Sequence, residues 1–312
     1  MLSILRYNEQ LKDDWDCIVT NSKNGTFLHS RDYIGYHGDR FSDQSVLFYY
    51  NSRAIAVFPS SSHELSVVSH GGLTYGGLVY GKEVSATVVL CMFECLANFY
   101  REAGYHKIFY KAVPKAFHSY PAEEDLYCLY RVGAKLYRRD LSSVIDIGNR
   151  PKLSDSRKSC ARKALKAGAQ FLEISDFTGF HLLLASALKK FNTSPVHSID
   201  DLVLLKSRFP SNIRLFGILL YDDLLAATLV FDIGDIVHTQ YMASSTKGRA
   251  LCALDFLLAN LIEDTFSNKK YFSFGISTEK DGMILNEGLL RVKESYGGRG
   301  ITHDHYEWDL LK

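Results

Sequence analysis

The sequence predicts an α/β (α+β) protein of two tandem domains. Each is expected to hold a mixed, mostly antiparallel sheet flanked by helices, with a ligand cleft between or within them. Three observations lead there. The chain has 312 residues, more than one hydrophobic core usually accommodates. Its apolar residues switch repeatedly between a period of two and a period near 3.6, so strands and helices alternate. The order of elements in residues 1–150 recurs in residues 151–312, although no residue-level identity links the halves.

Taken in order, residues 2–7 read as a strand and 9–22 as a helix, with Leu11, Trp15, Ile18 and Val19 on one face. A short helix is expected at 31–37 and a hairpin at 46–50 and 53–59 around Asn51-Ser52. Strands at 63–68 and 73–79 follow, separated by Gly71-Gly72. Residues 83–103 form a helix on Val84, Val88, Cys91, Cys95, Leu96 and Phe99, and Gly104 stops it. A strand at 106–112, a proline-initiated helix at 121–132 and a long strand at 135–147 complete the first half. After the turn-rich Gly148-Asn149-Arg150-Pro151, Ser154 or Asp155 caps a basic helix that Gly168 ends. A strand at 171–175 and helices at 176–191 and 199–209 lead into a meander at 213–220, 225–231 and 236–243. One long helix marked by Ala250, Leu254, Leu257, Leu258, Leu261 and Ile262 comes next. A strand at 271–276, a helix at 285–296 and a strand at 301–310 close the chain.

Composition narrows the function classes. Hydrophobic residues make up 46% and charged residues 23%, the balance of a folded protein. Lys+Arg total 36 against Asp+Glu 35, a net charge of +1, without the basic excess of a bulk nucleic-acid binder. An anionic ligand would need a local patch. The six cysteines include no Cys-x-x-Cys and no zinc-type spacing, which points to free buried thiols in a reducing compartment and to no metal. The N-terminus turns polar too early for a signal peptide, and the apolar run 224–231 is too short to span a bilayer, so a cytoplasmic location is expected. The oligomeric state stays open.

The most informative junction runs Tyr241-Met242-Ala243-Ser244-Ser245-Thr246-Lys247-Gly248-Arg249-Ala250. A strand enters a small-residue loop and then a helix. Free N–H groups and the helix dipole favour a phosphate at such a mouth. Met242, Ala243, Ser244, Ser245, Lys247, Gly248, Arg249 and Ala250 are therefore the candidate carrier-binding residues; the alternative is an ordinary turn with solvent-facing cations. His238 and Gln240 alternate on one strand and so share a face, where His238 could accept a proton. A hydrogen-bonded sheet histidine is the plainer reading. In the first half, His29, Arg31, Tyr33, Tyr36, His37 and Arg40 form a polar-aromatic cluster suited to a sugar ring carrying phosphate, and His70 and Tyr75 sit beside glycine turns. His303 and His305 share a strand face but lack a third ligand. Arg157, Lys158, Arg162, Lys163 and Lys166 put a basic stripe on one helix, either a solvated face or a contact for a diphosphate, an RNA or an acidic lipid surface.

Several segments together resemble the GNAT acyltransferase superfamily, more narrowly its tandem-domain, Fem-type members and acetyltransferase relatives. They are Ala226-Ala227-Thr228-Leu229-Val230-Phe231, Gln240-Tyr241-Met242-Ala243, Phe272-Ser273-Phe274-Gly275 and Gly288-Leu289-Leu290-Arg291-Val292-Lys293-Glu294-Ser295-Tyr296-Gly297. Pro195-Val196-His197-Ser198 and the basic helix fit as well. The resemblance implies two GNAT-like domains, with the acyl donor in 151–312. It also implies a role for Lys293 at the transferred carbonyl or a nearby phosphate, the alternative being a solvated lysine paired with Glu287 or Glu294. Gln240 and Gly275 would join His29, Tyr33, His37, Arg40 and Tyr75 in holding the acceptor. The implied reaction moves an acyl group, acetyl first among them, from acyl-CoA to an amine of a small, nucleotide-sugar or sugar-linked acceptor, in the manner of cell-envelope polysaccharide synthesis. Only Lys247-Gly248-Arg249-Ala250 stands where the superfamily often has a glycine-rich loop. Two rivals therefore remain: a Fem-type aminoacyltransferase using aminoacyl-tRNA, and a non-catalytic binding protein that kept the fold.

Overall fold

The computed structural model describes residues 1–151 and 153–312. The chain divides into two compact units: Met1–Leu141 with Thr278–Ile284 and Thr302–Lys312, and Ser142–Ser277 with Leu285–Ile301. The long strands Lys135–Asp146 and Arg299–Asp309 each begin in one unit and end in the other.

In the first unit, Leu2–Arg6, Val46–Tyr50, Arg53–Phe58 and Val79–Tyr80 form an antiparallel sheet. Its central hairpin turns at Asn51 and Ser52, both with positive φ (48° and 65°), as a two-residue turn between right-twisted strands requires. In the same unit, residues 305–309 pair with Lys107–Lys111, which runs parallel to Ser66–Val68. The helix Ala86–Glu102, capped by the Ser85 side chain at Val88 N, presses Val89, Met92, Phe93, Leu96 and Tyr100 into the core. There Phe93 stacks on Trp308 at 5.3 Å.

Three expectations fail in this unit. The single strand expected at 63–68 is a tight hairpin, Ser61–His63 and Ser66–Val68 paired antiparallel around Glu64, whose φ is +52°. Residues 73–79 are turns and bends up to the short strand Val79–Tyr80. Gly76 N donates to Lys111 O, and a Cβ at Gly76 would lie 2.1 Å from Ser69 O, so the segment folds against residues 69 and 111 rather than extending. The helix expected from Pro121 starts at Glu124.

In the second unit the strand order is Gln170–Glu173, Ile213–Leu220, Asp223–Ile233, Ile236–Ser244, Tyr271–Ile276 and residues 142–146. All neighbours are antiparallel except Ile236–Ser244 and Tyr271–Ile276. Asp155–Lys166, capped by Ser154, and Ala253–Asn260 bury Ala164, Ala253, Leu257 and Leu258 with Val230, Val237 and Phe272. The single long helix expected from residue 250 is broken. Thr246–Ala250 ends at Cys252, whose φ of +56° admits no helix, before Ala253–Asn260 begins. All six cysteines are free, but only Cys128 is buried. Among the described residues no helix is long and apolar enough to cross a membrane.

Candidate functional site

The site in the second unit begins with two strands that part. Ile236–Ser244 and Tyr271–Ile276 pair in parallel at Ile236↔Tyr271, Val237↔Phe272 and His238↔Ser273, and the recorded pairing stops there. Both strands are irregular at that level. The register of Ile236–Ser244 against Asp223–Ile233 slips between Leu229 and Val230, leaving Gln240 as the extra residue of a bulge. The register of Tyr271–Ile276 against residues 142–146 slips between Ser273 and Ile276. Thr239 Oγ1 still reaches Ser273 O at 3.2 Å. The bulge interrupts simple alternation, so the inference that His238 and Gln240 share a face by spacing alone does not hold.

Lys293 meets this split end. It lies on the helix Glu287–Ser295, capped by the Asn286 side chain at Leu289 N, and is 3% exposed. Its Nζ donates to Gly275 O at 2.8 Å and to Ile276 O at 2.6 Å. Among the described residues it makes no ion pair, so the alternative of a solvated lysine held by Glu287 or Glu294 is overturned. Burial lowers its pKa to about 8, because a desolvated ammonium without a counter-charge is disfavoured. Gly275 has φ +72°, and a Cβ there would lie 3.3 Å from His238 Cε1. The glycine thus turns its carbonyl to Lys293 and lets His238 close in. His238 Nδ1 lies 3.0 Å from Ser273 Oγ. Lys293, His238 and Gly275, three sequence candidates, converge here.

Sequence reasoning missed the hydroxyls around them. Ser142 is the register partner of Ile276, Ser277 follows it, and Ser143 Cβ lies 3.3 Å from where a Gly298 Cβ would stand. The side chains of Ser142, Ser143 and Ser277 are buried, and their Oγ atoms have no hydrogen-bond partner among the described residues. Such groups ordinarily find a partner, so a ligand or ordered water is the expected one. Serines inside strands carry no distinguishing sequence signal. Tyr241, just past the bulge, was also missed; its hydroxyl lies 2.6 Å from Nδ1 of buried His197.

The strand-to-helix junction is less open than its sequence suggests. Met242, Ala243 and Ser244 finish the strand, and Ser245 caps Thr246–Ala250. Ser245 N donates to Leu225 O, Gly248 N to Ser245 Oγ at 2.9 Å, and Arg249 N to Ser245 O. The N–H groups of Thr246 and Lys247 are those an anion could still reach. Lys247 pairs with Asp223 at 2.5 Å, and Arg249 folds back on Ser244 O and Thr246 Oγ1. A Cβ on Gly248 would lie 2.0 Å from Leu225 O, so this glycine serves packing on the neighbouring strand. In the basic helix, Arg157 binds Asp255 and Ser295, and Lys163 binds Ala250 O, so the stripe is partly consumed by internal contacts.

The aromatic cluster of the first unit is assembled but closed. His29 and Tyr75 rings lie 5.6 Å apart, Tyr33 and His37 6.3 Å, and His37 and His70 5.1 Å. His29, Tyr33, His37 and Tyr75 are all buried, with their ring faces against protein rather than open to a sugar. Burial lowers the His29 pKa to about 4, which keeps the imidazole neutral. Arg40 is exposed and donates to His37 O and Tyr36 O. Beside the cluster, Lys111 Nζ donates to His70 O and Leu73 O, and burial lowers its pKa to about 7.

Comparison with known structures defines the class: the chain has the tandem GNAT-like, Fem-type fold. It is similar to the crystal structure of FemX, with a TM-score of 0.70 at 10% identity, covering 98% of this chain and 97% of that one. It is likewise similar to the C-terminal domain of a putative lysylphosphatidylglycerol synthetase from Agrobacterium fabrum, with a TM-score of 0.62 at 10% identity over 97% and 93% of the two chains. A tandem GNAT protein of the clavulanic acid biosynthesis pathway gives 0.54 at 9% identity over 99% of both. No family model matches the chain, and no curated protein matches it by sequence.

Proposed function

We propose that the chain is an acyltransferase that moves an activated acyl group to an amine by direct attack within a ternary complex. One observation carries this reading: Lys293 is buried with no carboxylate partner among the described residues and pinned by two carbonyls where two strands part. A fixed N–H donor in a desolvated setting is what a developing oxyanion requires. In this reading the splayed strands seat the acyl arm and Lys293 meets its carbonyl. His238, oriented by Ser273, takes the amine proton. No cysteine is placed among these groups, which favours direct transfer over a covalent intermediate. The acceptor is a small or sugar-linked amine, the carrier site lies within Met242–Ala250, and the second unit, Ser142–Ser277 with Leu285–Ile301, holds the donor.

The leading donor is an acyl-CoA, acetyl-CoA first. The reading with aminoacyl-tRNA gains from two observations: Ser245 and Asp223 occupy groups that would otherwise meet a diphosphate, and the TM-score to FemX exceeds that to the tandem GNAT protein. Thermal-shift titration and thiol-release assays with acetyl-CoA over a panel of amino sugars, run beside transfer from charged tRNA, separate the two. Release with the first supports the CoA reading. Salt-sensitive transfer from the second, lost on reversing Lys158, Arg162 and Lys166, supports the other. Failure of both donors, with Lys293→Met leaving biological activity intact, would leave the fold serving only as a binding protein.

A further inference from the structure

Cys160 and Cys252 face each other on two helical elements of the second unit. Cys160 lies in Asp155–Lys166; Cys252 is the left-handed joint between Thr246–Ala250 and Ala253–Asn260. Their Sγ atoms and a carboxylate oxygen of Asp255 lie within 4.8 Å of one another. Both are half-buried, so small reagents can reach them. The frame around them is fixed. Arg157 binds Asp255 at 2.6 Å and Lys163 binds Ala250 O at 2.7 Å, while Ala164 and Ala253 share one core. Asp255 also accepts from Tyr296 at 2.7 Å, so its charge already has partners and does not call for a metal. Cysteines four apart on one helix, such as Cys91 and Cys95, offer no comparable meeting of separate elements.

We propose that Cys160 and Cys252 form a reversible thiol–disulfide pair that ties the basic helix to the joint following residues 246–250. A low-molecular-weight disulfide is the oxidant. The Cys160 thiolate attacks one of its sulfurs and expels a thiolate. The Cys252 thiolate then attacks Cys160 Sγ of the mixed disulfide, forming the Cys160–Cys252 bond and expelling the second thiolate. The protein dithiol loses two electrons and two protons, and the oxidant becomes two thiols. Because residues 246–250 belong to the carrier site of the proposed function, a change in transfer rate on oxidation rests on that reading; bond formation does not.

Full-length protein is incubated with oxidised glutathione, alkylated and mapped by mass spectrometry without reduction. The expected result is one cross-linked peptide pair joining Cys160 to Cys252, two hydrogens lighter and reversed by dithiothreitol. Closing so long a loop should raise Tm by roughly 5 °C. Cys252→Ser should trap glutathione on Cys160. The proposal is overturned by either thiol remaining alkylatable, by scrambled links to Cys17, Cys91 or Cys95, or by stoichiometric zinc protecting both thiols until chelated. The wild-type map needs no variant to fold, and it reads the bond even where every acyl donor fails.

Discussion

A lysine that makes no ion pair among the described residues and is 97% removed from water is costly unless something uses it. Lys293 combines that burial with two carbonyl acceptors, and its pKa of about 8 gives a pH signature. If its ammonium stabilises the oxyanion, kcat falls as pH rises through about 8, where the proton leaves. Lys293→Met should lower kcat on the order of 10²–10³-fold. Its Tm should change little, because relief of the desolvation cost offsets the stranding of two carbonyls at about 1–3 kcal/mol each. A flat pH profile from 7 to 9.5 would sink the oxyanion role. Gly275→Ala tests the neighbour. A side chain at φ +72° costs about 1–2 kcal/mol and presses on His238, so Tm and kcat should both drop. Lys293 and Gly275 stood out in the sequence through the resemblance of their motifs. The hydroxyls of Ser142, Ser143 and Ser277 did not, since strand serines look alike until the chain brings them together.

Among the elements, the junction at Thr246–Ala250 departs furthest from expectation. A small-residue loop before a helix reads as an anion cradle, yet Ser245 caps its own helix and Gly248 packs on Leu225. Gly248→Ala should cost at least about 3 kcal/mol, because a methyl cannot share space with backbone 2.0 Å away. Urea unfolding reads this directly; a loss under 1 kcal/mol would mean that the strand and turn separate easily. The broken helix at Cys252 has the same kind of cause. Periodicity in Ala250, Leu254, Leu257 and Leu258 reports a buried face, not the continuity of the backbone that carries it. Where amphipathic spacing and a cap agreed, as for Ala86–Glu102 and Asp155–Lys166, the elements were legible to within a few residues.

At the scale of the molecule, pH should tune stability through Asp125. This carboxyl is fully buried against the Tyr110 hydroxyl at 2.6 Å, and desolvation raises its pKa to about 6. Between its unfolded value near 4 and about 6 the native state keeps a proton that the unfolded chain gives up. Stability therefore falls with rising pH across that window, by about 3 kcal/mol at most, and is flat above it. Asp125→Asn should flatten this slope in urea titrations at pH 4 to 7; an unchanged slope would assign it to other groups. By itself the sequence determined the fold class, the alternation of elements, and the motifs that carry Lys293 and Gly275, because periodicity and caps are local properties. Only the tertiary structure decided that two strands part at His238 and Ser273, that Lys293 is stripped of water there, and that the aromatic cluster faces inward. Burial, register and the pairing of distant polar groups depend on which segments meet, and no local pattern encodes that.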